Sequence, residues 1–376
     1  MHIRDAILGS IELSDAELKI IDTRYMQRLR FIKQLGFSYL VYPGANNTRF
    51  EHSLGTMQIT KEITKNIFNE DIEELYCAAL LHDIGHAPFS HQSDFALKKY
   101  LNKTHEDISI DMIKKTEIKD IISNSTMSLS KVLNFLKGKT KGNIISSSIG
   151  SDRIDYLMRD SRYTGVAYGV IDYNRIKSKL AMFKNTLAVF EGGITGVESM
   201  LLARYFMFSS VYLHHTTLIA DQMFRKAYDT ALENKQIDIN LLTTGTDDQV
   251  FNLLLNLPNS ELIKKIKERK LFKRVFSSEF DKRKLKINIQ EIINAIENLN
   301  ISNNDYVISF SEYKPEKEDI YVLDRNKKLL GNLDSVSPLI KALEGIFENK
   351  IRLLVACNPK YTKRINKALN KIMYQK

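Results

Sequence analysis

Leu75-Tyr76-Cys77-Ala78-Ala79-Leu80-Leu81-His82-Asp83-Ile84-Gly85-His86-Ala87-Pro88-Phe89-Ser90-His91 is the stretch on which the reading of this chain turns. Its first half is apolar on every side, the composition of a helix buried in a larger core. The helix is expected over 72–84, ended near Gly85 and Pro88. At its close stand an imidazole and a carboxylate. Groups of that kind in a low dielectric need a partner, and a divalent cation supplies one. A His-Asp pair by itself carries no weight; its apolar setting does. On a continuous helix, neighbours point about 100° apart, so His82 and Asp83 would reach one ion only from the edge of a buried face. His86, one turn on, would share the face of His82.

Working outward, the other donors are sparse. The eight histidines are His2, His52, His82, His86, His91, His105, His214 and His215, and five of them lie between 52 and 105. His52 falls on a helix expected from about Glu51 to Ile67, and Asp152 opens another expected over 151–160. With His82 and Asp83 these make two imidazoles and two carboxylates, a mixed set that suits Fe, Mn, Zn or Ni better than Ca. Four protein ligands on an octahedral ion leave two positions open, as hydrolysis requires. Any one of these residues, taken alone, reads equally well as an ordinary polar group.

The rest of the first 235 residues is helix-patterned. Ser14 is a plausible N-cap for a run through Leu18, Ile21, Tyr25, Leu29 and Ile32. Residues 37–44 look extended or looped, 104–122 helical, and a long helix is expected from Gly196 to Leu232. Beyond about 240 the texture changes. Helices are expected over 247–256, 260–272, 336–348 and 362–373, and strands over 306–310, 320–323 and 351–356. The expected fold is therefore mainly α: a helical bundle over 1–235, with a smaller basic α+β lobe over 236–376.

Charge divides the chain in the same way. Residues 1–250 hold 30 basic and 30 acidic side chains, whereas 251–376 hold 25 and 15 and so carry the whole net charge of +10. The densest basic run is Lys264 to Lys286. It reads as a solvated helix face or as a weak nucleic-acid contact. Two cysteines, Cys77 and Cys357, exclude a disulfide framework and a cysteine metal cluster. No apolar run is long enough to span a membrane, and the N-terminus lacks a signal-peptide core, so a cytoplasmic protein is expected.

His52, His82-Asp83 and Asp152 resemble the H…HD…D signature of the HD-domain phosphohydrolases. Asp22-Thr23 with Gln27-Arg28-Leu29-Arg30, Gln34-Leu35-Gly36, Tyr42-Pro43-Gly44-Ala45, Arg49-Phe50-Glu51-His52-Ser53-Leu54-Gly55, and the stretch ending in His91 look like the deoxynucleoside triphosphate triphosphohydrolases. The likeness is nearest to the branch of the SAM- and HD-domain dNTPase, with no SAM domain expected here. It runs through His105-Glu106, Asp155-Tyr156 and Arg204…Tyr212 to about residue 235.

The resemblance implies a reaction: a dNTP and water give a deoxynucleoside and inorganic triphosphate. His52, His82, Asp83 and Asp152 would hold the metal, and Mg²⁺ would accompany the phosphates. Arg49, Arg204 and Arg153 would meet phosphate oxygens, with His86, His105 and Tyr156 nearby. His91 would be the general acid, oriented by Asp94. Gln34, Leu35 and Tyr212 would close around the sugar and leave no space for a 2′-hydroxyl, and Asp160 would accept from the 3′-hydroxyl. Asp22, Gln27 and Arg30 match residues that bind an activating guanine nucleotide between subunits, and Val41, Tyr42 and Arg175 match part of a second regulatory pocket. Arg4 and the segment 191–199 depart from that regulatory pattern. The expected partners are a dNTP substrate, a GTP or dNTP activator and further copies of the chain, as dimer or tetramer. The alternative reading is an HD-type nuclease or phosphodiesterase acting on single-stranded nucleic acid or a cyclic nucleotide.

Overall fold

A computed structural model describes residues 1–281, 289–312, 320–347 and 350–374. Lys282-Arg283-Lys284 and the rest of the basic run to Lys286 lie outside them. The chain forms two compact units: the described parts of Met1–Val211, Ile239–Val250 and Glu316–Lys341, and those of Tyr212–Asp238, Phe251–Pro315 and Ala342–Lys376. The chain therefore passes between units several times, where the sequence suggests one boundary after residue 235.

The first unit is mainly helical. A two-stranded hairpin, β1 (His2–Asp5) and β2 (Gly9–Glu12), opens it. Ser14 does cap a helix, Asp15–Ile21, in a capping box with Glu17. The expected continuation breaks at Thr23, which caps the short helix Arg24–Arg28. Residues Gly36–Leu40 form a 3₁₀ turn. The helix Arg49–Phe68 starts at a second capping box, Thr48 with Glu51, and packs against Glu73–Leu81 and Ser151–Thr164. The segment expected as one helix over 104–122 divides at Thr116 into His105–Lys115 and Glu117–Ser123.

Two features were not expected. β3 (Leu180–Phe183) and β4 (Thr186–Phe190) make a hairpin turned at Lys184 and Asn185, both left-handed. The long helix over 196–232 is two helices, Ile194–Met207 and His215–Glu233, separated by a π-turn at Phe208–Tyr212.

The second unit is α+β. β5 (Lys273–Asp281) and β6 (Tyr306–Glu312) flank β9 (Lys350–Cys357), all antiparallel. The helices Ile289–Glu297 and Thr362–Tyr374 cover the sheet, burying Ile292, Ile296, Ile365 and Leu369 against Leu353 and Val355. The remaining strands, β7 (Tyr321–Leu323) and β8 (Leu329–Asn332), extend the β3–β4 sheet of the first unit. Among the described residues no helix is long and apolar enough to cross a membrane.

Candidate active site

Three elements of the first unit deliver the donors. The helix Arg49–Phe68 turns Arg49 and His52 inward; both are buried. The helix Glu73–Leu81 ends three residues short of the expected 84, so His82 is its C-cap and Asp83 lies in the following turn. This corrects the helical-face expectation for His82, Asp83 and His86: a turn, not one continuous helix, brings them together. The helix Ser151–Thr164 adds Asp152 and Asp155.

His52 Nε2 lies 3.1 Å from Asp152 Oδ1 and 3.6 Å from Asp83 Oδ2. His82 Nε2 lies 3.4 Å from Asp83 Oδ1 and 3.8 Å from Asp152 Oδ1. His82 Nδ1 is within 2.8 Å of the Ala79 carbonyl, which makes Nδ1 the donor and leaves the lone pair on Nε2. That Nε2 is buried with no hydrogen-bond partner. Donor atoms of His52, His82 and Asp152 all lie within 4.8 Å of one another. Two inward nitrogens and two carboxylates around one point fit a divalent cation with N/O preference.

The electrostatics agree. Burial opposes charge on His52, but Asp152 and Asp155 on its two nitrogens push its pKa up to about 10. Burial likewise opposes ionisation of Asp152, yet His52 and His82 hold it well below the carboxylate range. An imidazolium proton wedged between carboxylates marks where a cation would sit instead.

Behind His52 is a layer that the sequence reading did not assign. His52 Nδ1 lies 2.8 Å from Asp155 Oδ2. Asp155 is gripped at both oxygens by Arg159, at 2.9 Å each, and Arg159 reaches on to Asp5 of β1 at 2.8 Å. The Asp155–Arg159 spacing of i, i+4 was readable as a helix pair; Asp5 was not. Gly55 makes room for it, because a Cβ there would lie 1.9 Å from Asp155 Oδ1.

Beside the four donors sits a second histidine group. His86 is fully buried, with Nε2 3.3 Å from Asp83 Oδ1 but no hydrogen-bond geometry at either nitrogen. Burial first, then the charges of Arg49 and His105, keeps its pKa well below the usual value. It stacks on His105 at 3.9 Å and meets His91 edge-on at 5.0 Å. His91 Nδ1 pairs with Asp94 Oδ2 at 2.9 Å, and the His91 side chain is 61% exposed. Burial opposes the charge on Asp94, but His91, His86 and His105 hold its pKa down at about 2.

The remaining expected residues divide. Arg49 Nη1 lies 2.5 Å from Asp83 Oδ2 and its Nε donates to Ser90 Oγ, while its Nη2 is buried without a partner. Gln34 Oε1 is buried without a partner, and Leu35 is buried. Asp160 accepts from Asn47 Nδ2 at 2.9 Å, and Tyr156 stands among the charges of Arg204, Arg153, Asp152 and Asp160. Arg153 Nη1 donates to the carbonyls of Ser146 and Ser147, so that nitrogen pins a turn, where a phosphate contact was expected. Tyr212 belongs to the second unit. Of the regulatory set, Asp22, Arg30 and Arg175 are exposed. Gln27 accepts from Arg30 Nε at 2.9 Å, and Tyr42 donates to the Ser210 carbonyl. Val41 ends the 3₁₀ turn.

A helical unit whose helices converge on two imidazoles and two carboxylates, with arginine alongside, defines a metal-dependent phosphohydrolase. Residues 49–159 match the HD domain and residues 171–375 the HD associated region, and the chain belongs to the HD-domain phosphohydrolase family. An uncharacterized protein of Methanocaldococcus jannaschii is 38% identical over 359 residues, 91% of this chain and 76% of that one. Human deoxynucleoside triphosphate triphosphohydrolase SAMHD1 is 28% identical over 341 residues, 73% of this chain and 54% of that protein. Among solved structures, a hypothetical protein from Aquifex aeolicus aligns over 98% of this chain and 99% of its own, at 30% identity and a TM-score of 0.83. A phosphohydrolase from Bacteroides thetaiotaomicron aligns over 95% and 99%, at 25% and 0.77.

Proposed function

We propose that the protein hydrolyses deoxynucleoside triphosphates at the α-phosphorus, releasing a deoxynucleoside and inorganic triphosphate. One observation carries the reading. The four-donor cluster and an exposed, carboxylate-backed imidazole lie on either side of a single buried ring, His86. Held by His52, His82, Asp83 and Asp152, a divalent cation supplies Lewis acidity for attack at phosphorus.

The side chains supply the rest. Asp94 accepts a hydrogen bond from His91 Nδ1–H and aims Nε2–H outward, so His91 gives its Nε2 proton to the departing 5′-oxygen as the P–O bond breaks. Arg49 and Arg204 offset the substrate's negative charge, part of which an accompanying Mg²⁺ would neutralise, and Tyr156 and His105 border the phosphates. Gln34 and Leu35 pack against the sugar, and Asp160 accepts from its 3′-hydroxyl. The likeness to the SAMHD1 enzymes supports this substrate class. We further propose, on the sequence resemblance alone, an assembly of several copies whose activity responds to GTP or a dNTP through Asp22, Gln27, Arg30, Val41, Tyr42 and Arg175.

Incubation with dNTPs, NTPs and a single-stranded oligonucleotide, with product separation, tests the reading. Triphosphate should appear from dNTPs, and His82→Ala with Asp83→Ala should abolish it. Cleavage of the oligonucleotide instead would favour the nuclease reading, to which the basic excess of residues 251–376 lends support.

A further inference from the structure

We propose that Asp247 is a positioning residue of the active site: its carboxylate latches the loop bearing His86 and His91 to the segment bearing Gln34 and Leu35. The roles of those four residues rest on the function proposed above; the latch itself rests on geometry. Asp247 Oδ1 accepts the N–H of Phe89 at 2.6 Å, and Oδ2 accepts the N–H of Lys33 at 2.9 Å. The two amides belong to segments 56 residues apart in sequence, and Asp247 stands 158 residues beyond the nearer one. Only 6% of Asp247 is exposed, so water does not stand in for either contact.

The loop needs to be held. Phe89 and Ser90 both have left-handed backbones (φ 64° and 52°), a conformation that costs any residue with a Cβ and persists only where the surroundings fix it. Those surroundings are the partner segment. Ser90 Oγ donates to the Lys33 carbonyl at 2.8 Å and accepts from Arg49. The ring of Phe89 stacks on Phe37 at 5.0 Å. Gly36, itself left-handed, leaves its Cβ position to the side chain of Gln92.

The stretch that ends in Asp247 reaches the other end of the loop as well. Arg28 donates to the carbonyls of Ile84, His86 and Gly245. Gly245 lies against Pro88, where a Cβ would come within 3.3 Å of the ring. Asp247 directly, and Gly245 by way of Arg28, thus tie the HD associated region to the backbone of the HD loop at both ends. With the carboxylate gone, the buried amide of Phe89 and the half-buried one of Lys33 lose their acceptor and the left-handed pair is free to relax. His91 then shifts relative to the sugar wall, while His52, His82 and Asp152 keep their own supports.

The test compares Asp247→Ala, Asp247→Asn and Asp247→Glu with the unaltered protein. Three readings are taken: hydrogen exchange in peptides covering 30–37 and 86–92, metal content, and dNTP turnover. Faster exchange in both peptides is expected for Ala and Asn, with metal content within twofold and kcat down by about tenfold or more, beyond any change in KM. Asn does not rescue, since its amide sets a donor against one of the two N–H groups; Glu restores part of kcat. Wild-type exchange and kcat in Asp247→Ala overturn the proposal. So does loss of fold or metal in all three variants, which makes Asp247 a structural residue. If the unaltered protein does not turn over dNTPs, the substrate reading fails, and the exchange data still decide the latch.

Discussion

His52 Nδ1 lies 2.8 Å from Asp155 Oδ2, and that contact decides which imidazole nitrogen faces the other donors. A carboxylate on Nδ1 keeps a proton on that nitrogen, so a cation displacing the proton at Nε2 would find the lone pair on the side of Asp152 and Asp83. Arg159 and Asp5 continue the chain of charges, and both ends are buried. The site is therefore built in layers: donors in front, one orienting carboxylate behind, and an arginine that stops that carboxylate from swinging away.

Replacing Asp155 tests the layering. Asp155→Ala should raise the metal dissociation constant by about 10–100-fold. It should also destabilise the fold by roughly 3–5 kcal/mol, because the guanidinium of Arg159 stays buried with half its partners gone. Metal titration against a competing chelator and a thermal melt read the two effects separately. Unchanged metal affinity in a folded variant would remove Asp155 from the orienting role.

Gly55→Ala attacks the same contact from the other side. The added methyl would lie 1.9 Å from Asp155 Oδ1 and 2.4 Å from Arg159 Nη2. Neither group has anywhere to go, so the expected cost is at the upper end of about 1–3 kcal/mol for overpacking, with weaker metal binding. Gly192→Ala is the control, since its nearest neighbours are 3.8 Å away. Equal melting points for the two variants would contradict the crowding.

How far the sequence carries can be seen in single elements. The helix Arg49–Phe68 was legible almost to its ends, because Thr48 and Glu51 cap it and its apolar period is regular. The break at Phe208–Tyr212 was not, because no Gly or Pro marks it and the apolar spacing runs straight through. The β3–β4 hairpin hid behind a Lys-Asn turn with no glycine. Within the site, His82 and Asp83 were marked by their apolar helix, and His91 with Asp94 by the family resemblance alone. Asp5 and Asp247 were silent, since each acts through a fold-level contact more than 150 residues from its partner's position.

His91 and Asp94 separate chemistry from metal binding. Their pair lies at the surface end of the histidine group, apart from the four residues proposed to hold the metal. His91→Ala should lower kcat by about 10²–10⁴-fold, the range for a lost general acid, and Asp94→Asn by less, with metal content unchanged in both. Measured by triphosphate release, a His91→Ala enzyme of wild-type rate would assign the proton to another group.

Asp247 also sets a pH term in stability. Burial raises its pKa to about 6, against the pull of the Lys33 and Phe89 amides and the Lys33 charge, with Asp248 pushing the same way as burial. The charge of Arg28 and the phenol of Tyr39 also face it. A carboxyl whose folded pKa lies above its unfolded value binds its proton more tightly in the folded state. Its stabilising share is full below about pH 4 and fades as pH rises through about 6. Between pH 5 and pH 7 that share should fall by about 1.4 kcal/mol, and Asp247→Asn, which does not titrate, should lack the fall. Chemical denaturation of both proteins at the two pH values gives the difference directly. Parallel pH dependence in the two would mean that Asp247 has an ordinary pKa, and the carboxylate would then meet its two amides at no electrostatic cost.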